Sequence, residues 1–122
     1  MNVKLTIQYS MNLQNCAMNE RIKGLLGLAY KGKRIVIGED VINLMKSSKL
    51  HLIIIASDSS EATLKRLTEK SKFYDKEYLI YGTKYSLGAA IGKFQVSSIG
   101  ILDIKMKEKI KNLLKDGDDN GK

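Results

Sequence analysis

From Asn19 onward the apolar positions of this chain fall into two rhythms, one helical and one strand-like, that take turns. Ile22, Leu25, Leu26 and Ala29 recur at helical spacing behind Asn19, a good N-cap residue, and Gly32 closes that segment. Residues 34–37 read as a short strand and Gly38 as a turn. Val41, Ile42, Leu44 and Met45 then form the apolar face of a second helix that stops near Ser47 and Ser48. Leu52-Ile53-Ile54-Ile55-Ala56 is a continuous, mostly β-branched run, the pattern of a strand buried on both faces. Asp58-Ser59-Ser60 is a cap for a third helix running to about Lys72, residues 78–81 make the next strand, and Gly82-Thr83 a turn. Thr83 is placed to cap a short helix through Ala90. Residues 95–102 form the last strand, and Asp103 begins a lysine-rich helix ending near Lys115. Residues 116–122 are expected to be a flexible tail.

Strands that alternate with helices in this way imply one α/β domain, residues 19–115, with helices on both faces of a largely parallel or mixed sheet. Residues 1–18 stand apart. Val3, Leu5 and Ile7 alternate like a strand but residues 11–15 show no period, so the segment is expected to be an extension outside the core, with Met11 and Met18 both plausible starts. Ligands of open α/β sheets bind at the carboxyl ends of strands, which here means loops 37–41, 57–61 and 81–85. The first and third combine glycine and polar groups with a helix start, and they are expected side by side on one rim.

Composition narrows the class. A chain of 122 residues suffices for one domain that buries roughly two-thirds of its unfolded surface. No apolar stretch approaches the roughly 20 residues needed to cross a bilayer, so no membrane association is expected. The first residues lack the apolar core of a signal peptide, and export is not expected. One cysteine, Cys16, and one histidine, His51, provide neither a disulfide nor a cluster of soft metal ligands, which points to a reducing, cytoplasmic setting. Against 13 acidic residues stand 21 basic ones, mostly lysine, for a formal net charge of +8. That excess favours a polyanionic partner bound in a salt-sensitive way, although a merely solvated basic surface has the same composition.

Four motifs then occur in order: Leu25-Leu26-Gly27-Leu28-Ala29, Lys33-Arg34-Ile35-Val36-Ile37-Gly38-Glu39-Asp40, the run from Leu52 to Asp58, and Lys84-Tyr85-Ser86-Leu87-Gly88-Ala89-Ala90-Ile91-Gly92. Each is weak alone. As an ordered set, spanning Leu25 to Asp103, they resemble the L7Ae and L30e superfamily of ribosomal, kink-turn RNA-binding proteins, most nearly its small bacterial L7Ae-like members. The resemblance implies a three-layer α-β-α sandwich with a mixed, largely central four-stranded sheet. It also implies a non-catalytic protein that grips a kinked internal loop of structured RNA such as ribosomal RNA. Its partners would be that RNA and the ribosome, with no cofactor and no small-molecule substrate.

The same resemblance assigns a site. Sheared guanine-adenine pairs in a kink expose base edges in a widened groove, an exception to the rule that A-form major grooves are too narrow to read. Carried over, Gly38, Glu39 and Asp40 read those edges, with Lys33 and Arg34 as phosphate contacts. Glu39 stands where archaeal members have Asn. Asn43 occupies roughly the position of a family lysine, and Lys46 is the nearest lysine to it. A carboxylate in place of an amide removes donors and turns negative charge toward RNA, which is expected to reduce affinity for a standard kink-turn or change its target. Tyr81, Gly82, Thr83 and Lys84 correspond to a loop that packs against an extruded nucleotide. Tyr81 is there either a stacking ring or an ordinary strand-end tyrosine. On physical grounds a glycine turn admits close approach, and a helix start offers N–H groups to phosphate. Glu39 and Asp40 also suit a plain helix start, where they complement the dipole by up to about 1 kcal/mol.

Other readings fit worse. Gly88 to Lys93 has glycine spacing short by one for a phosphate-binding loop and no Ser or Thr after the lysine. Asp58, His51 and the serines lack a nucleophile elbow. Lys105, Lys107, Lys109 and Lys111 read as a solvated helix face or auxiliary phosphate contacts. Besides kink recognition, the residues leave open a ribosome- or translation-associated module with weak, shape-independent RNA affinity. An RNA-modifying enzyme would need a catalytic domain for which the chain is too short.

Overall fold

The computed structural model of the chain describes residues 18–120. Of the expected extension at 1–18, residues 1–17 lie outside the described residues, but its last member, Met18, is 6% exposed and part of the core. Helix α1, Glu20–Lys31, starts at Asn19, whose Oδ1 accepts from the Arg21 and Ile22 N–H groups at 2.7 and 3.3 Å. Glu20 in its first turn and Lys31 in its last complement the dipole. Gly32 and Lys33 then turn the chain into β1, Ile35–Ile37, with Lys33 at φ 59°.

Helix α2 is short, Glu39–Asn43, because its last apolar residues continue as tight turns rather than as α-helix: Met45 N–H bonds to the Ile42 carbonyl and Ser47 N–H to Leu44. Strand β2, Leu52–Ile55, is wholly buried. Helix α3, Glu61–Phe73, is capped by Ser60, whose Oγ accepts from Thr63 N–H at 3.2 Å. Strand β3, Glu77–Ile80, leads to α4, Lys84–Ala90, where Thr83 and Ser86 close a reciprocal capping box. Strand β4 covers only Ser98–Ile101, against the expected 95–102. Its lead-in is diverted over α4, where Val96 N–H bonds to the Lys84 carbonyl at 3.1 Å. Helix α5 spans Ile104–Asn120, so 116–120, expected within a flexible tail, carry helical backbone.

The sheet order is β1-β4-β2-β3, with β4 antiparallel to both neighbours and β2 parallel to β3. It is therefore mixed, as the resemblance implies. Strand alternation splits the β-branched run of β2 between two cores: Leu52 and Ile54 face α1, α4 and α5, while Ile53 and Ile55 face α2 and α3. Each such isoleucine, fully buried, contributes about 1.5–3 kcal/mol. The layer of α2 and α3 is tied down by Lys76, whose ammonium donates to the Ser47 and Leu50 carbonyls at 2.7 and 3.0 Å.

On the opposite layer, α5 is clamped to the edge of β3 by Glu77, which meets Lys107 Nζ and Lys111 Nζ, each at 2.7 Å. Two of the four alternating lysines are thus structural. Burial raises the Glu77 pKa, but the hydrogen bonds and charges of Lys107 and Lys111 outweigh it and hold the carboxyl below its usual range. A lowered carboxyl stabilises the fold above its unfolded value and ceases to do so as pH falls through the folded one. Denaturant midpoints followed into acid should therefore fall more steeply for the wild type than for Glu77→Gln across the window below the ordinary glutamate pKa.

Candidate nucleic-acid interface

Because β1, β2 and β3 run in the same sense and β4 against them, the exits of the first three strands and the entry to β4 share one rim. At its β1 end stands Gly38, with φ 62° and ψ −138°, a conformation side chains oppose. A Cβ there would meet no atom within 4 Å, so the restriction is in the backbone and the space in front is open. Gly38 gives α2 no side-chain cap, and Glu39 and Asp40 are exposed beside it. The Glu39 carboxylate lies 3.5 Å from Arg66 Nη1 on α3, an exposed pair worth about 0–1 kcal/mol. Asn43 and Lys46 are exposed further along the same segment.

The third loop occupies the far end of the rim. With β4 and β2 between β1 and β3, three strand spacings of about 4.8 Å put the Gly38 and Gly82 turns roughly 14 Å apart, not side by side. There the chain's polar groups face inward. Tyr81 packs against the core, and its hydroxyl accepts from Asn19 N–H at 2.8 Å, fixing the start of α1. The Gly82 carbonyl accepts from both Ser57 N–H and Ser57 Oγ at 2.8 Å. Asp58, expected to cap α3, accepts from Lys84 N–H at 2.8 Å and so caps α4 instead. Thr83 is spent on its capping box, leaving the half-exposed Lys84 side chain as the contribution of this loop to the rim.

Lys33 and Arg34 are not brought to the Gly38 turn. They precede β1, at the other end of the sheet, with Arg34 about 13 Å from Gly38 along an extended strand and Lys33 beyond it. Arg34 Nη1 pairs there with Asp103 Oδ2 at 3.2 Å, and the Arg34 carbonyl accepts from Leu102 N–H at 2.8 Å. The Lys105 backbone N–H, chiefly, and Arg34 hold the Asp103 carboxyl below its usual range.

What sequence reasoning missed is Lys93-Phe94-Gln95. This exposed segment leads into β4, whose Ile99 pairs with Ile37 just before the Gly38 turn, so it enters the sheet from the same rim. Phe94 is 78% exposed. Its position is set by Gly88: a Cβ on that residue would lie 2.8 Å from the Lys93 carbonyl oxygen and 2.9 Å from Phe94 backbone atoms. The available signal was a phenylalanine between Lys93 and Gln95 that fits no apolar period. Among the described residues no group of His, Cys, Asp and Glu is arranged to hold a metal ion, and no helix is long and apolar enough to cross a membrane.

These features define an α/β domain with a mixed four-stranded sheet, five helices among the described residues, and one rim that is open at the Gly38 turn. The chain belongs to the Ribosomal protein L7Ae/L30e/S12e/Gadd45 family, whose model matches residues 20–111. It is 32% identical over 91 residues to the RNA-binding protein YlxQ of Bacillus subtilis (strain 168), covering 74% of this chain and 91% of that one. It is also 27% identical over 96 residues to the RNA-binding protein YlxQ of Enterococcus faecium, covering 78% of this chain and 92% of the other. A solved protein of unknown function from Bacillus halodurans superposes with a TM-score of 0.74 at 30% identity, over 80% of this chain and 99% of that one.

Proposed function

We propose that this chain is a non-catalytic, cytoplasmic RNA-binding protein that recognises a kinked internal loop in structured RNA such as ribosomal RNA. The observation that carries the reading is the Gly38 turn: an uncapped helix start, open in front, on the rim from which the exposed Lys93-Phe94-Gln95 segment enters β4. Family membership and two relatives named as RNA-binding proteins support it. In this reading the α2 start meets phosphate oxygens, Glu39 accepts from exposed base amino groups, and Arg66 offsets the charge that Glu39 adds. Phe94 supplies the aromatic surface for an unstacked base that Tyr81, engaged in the core, does not.

A salt-series titration tests it, comparing a kink-turn RNA with a control whose guanine-adenine pairs are replaced by Watson-Crick pairs. The kink-turn should bind at least about tenfold more tightly, and log affinity should fall with log salt by roughly 0.7–0.9 per phosphate neutralised. Equal affinity for both RNAs would replace this reading with that of a translation-associated module of shape-independent RNA affinity.

A further inference from the structure

We propose that the outer face of α3 is a second RNA contact, on which Phe73 stacks an unpaired base of the strand leaving the kink site. The inference rests on the RNA-binding reading and extends its footprint onto another helix. Three observations carry it.

Arg66 joins the two places: its guanidinium pairs with Glu39 at the Gly38 turn, and it also lines a cleft with Glu69, Lys70, Phe73 and Tyr74. From Arg66 to Phe73 the helix rises about 10 Å, so the cleft descends directly from the turn. The ring itself is available. Phe73 is 79% exposed and held edge-on by Tyr74, with centroids 4.8 Å apart and planes at 89°.

The surroundings select the ligand. Within the cleft the exposed Arg66 and half-buried Lys70 stand against Glu69, and along the whole helix Lys65, Arg66, Lys70 and Lys72 outnumber Glu61 and Glu69. Among the described residues Phe73 is also the one large, strongly exposed apolar side chain on the α2 and α3 layer. A protein partner docking by apolar burial would find one strongly exposed ring, backed by the half-buried Tyr74 and ringed by charge. A nucleotide needs that arrangement, one π-face for the base and cations for its phosphates.

The test compares kink-turn RNAs with and without a short unpaired extension, bound to the full chain carrying Phe73, Phe73→Ala or Phe73→Trp. Because Phe73 is exposed, both variants should fold, as a circular-dichroism melt would verify. A lost base stack predicts a drop of about tenfold for Phe73→Ala on the extended RNA, little change on the blunt one, and recovery with Phe73→Trp. Kink preference retained with no effect of Phe73→Ala overturns the stacking site, leaving a protein segment as the ring's occupant, and spares the kink reading. An equal loss on extended and blunt RNA also overturns it. A Phe73→Ala loss confined to the extended RNA, in a protein that does not prefer the kink, upholds the shelf and discards the kink reading. Absence of binding to either RNA discards both.

Discussion

Gly38→Val is expected to weaken RNA binding at least tenfold while the domain remains folded. At φ 62° and ψ −138° the backbone of Gly38 is where only glycine sits without strain, and strain of this kind costs about 1–3 kcal/mol. A domain of this size has about 5–15 kcal/mol of stability, so the loss lowers the melting temperature without abolishing the fold. The site bears the larger effect. Valine either holds the strained turn and fills the open space before α2 with two methyl groups, or relaxes to negative φ and rotates the uncapped helix start. Both outcomes displace the N–H groups and Glu39 that the proposed function presents to RNA. Titration at one fixed salt concentration, beside a thermal melt, separates the effects. Unchanged affinity in a folded Gly38→Val protein would remove the turn from the interface.

The local features of this fold were legible because caps and apolar spacing act over a few residues. Asn19, Ser60 and Thr83 cap the helices they were expected to cap, and the 52–56 run holds one of the two interior strands. What depends on the third dimension was not legible. The sheet order, which puts two strands between the Gly38 and Gly82 turns, has no one-dimensional trace, so two loops that look alike in sequence were expected to be neighbours. For the same reason the proximity of Lys33 and Arg34 to Gly38 in the chain did not become proximity in space: a strand, however short, carries its ends to opposite rims. Side-chain partners across the fold were equally hidden. Asp58 reaches α4, Tyr81 reaches the start of α1, and Arg66 reaches Glu39 over distances in sequence that no motif records. Met18 was assigned to the extension because no period begins before it, yet it is buried against the α1 side of the sheet.

Gly88→Ala should cost stability and RNA affinity together, and for one reason. The helix α4 and the segment that follows it approach so closely at Gly88 that an added Cβ would sit 2.8 Å from the Lys93 carbonyl oxygen and 2.9 Å from Phe94 carbonyl atoms. These are backbone atoms, and the clash cannot be relieved by a rotamer. The same residue closes the turn, since its carbonyl accepts from the N–H groups of Ile91 and Lys93 at 3.0 and 2.8 Å. Overpacking of this kind costs about 1–3 kcal/mol, enough to lower the melting temperature by several degrees. The displaced segment carries Lys93, Phe94 and Gln95 and continues into β4, whose register to β1 aligns Ile99 with Ile37 just before the Gly38 turn. Kink-turn affinity should therefore fall by more than the change in folded population explains, roughly tenfold where one base stack is lost. Ala89→Ser, on the exposed side of the same helix, is the control and should leave both quantities unchanged. A Gly88→Ala protein with lowered stability but wild-type affinity would show that the 93–95 segment holds the fold together without touching RNA.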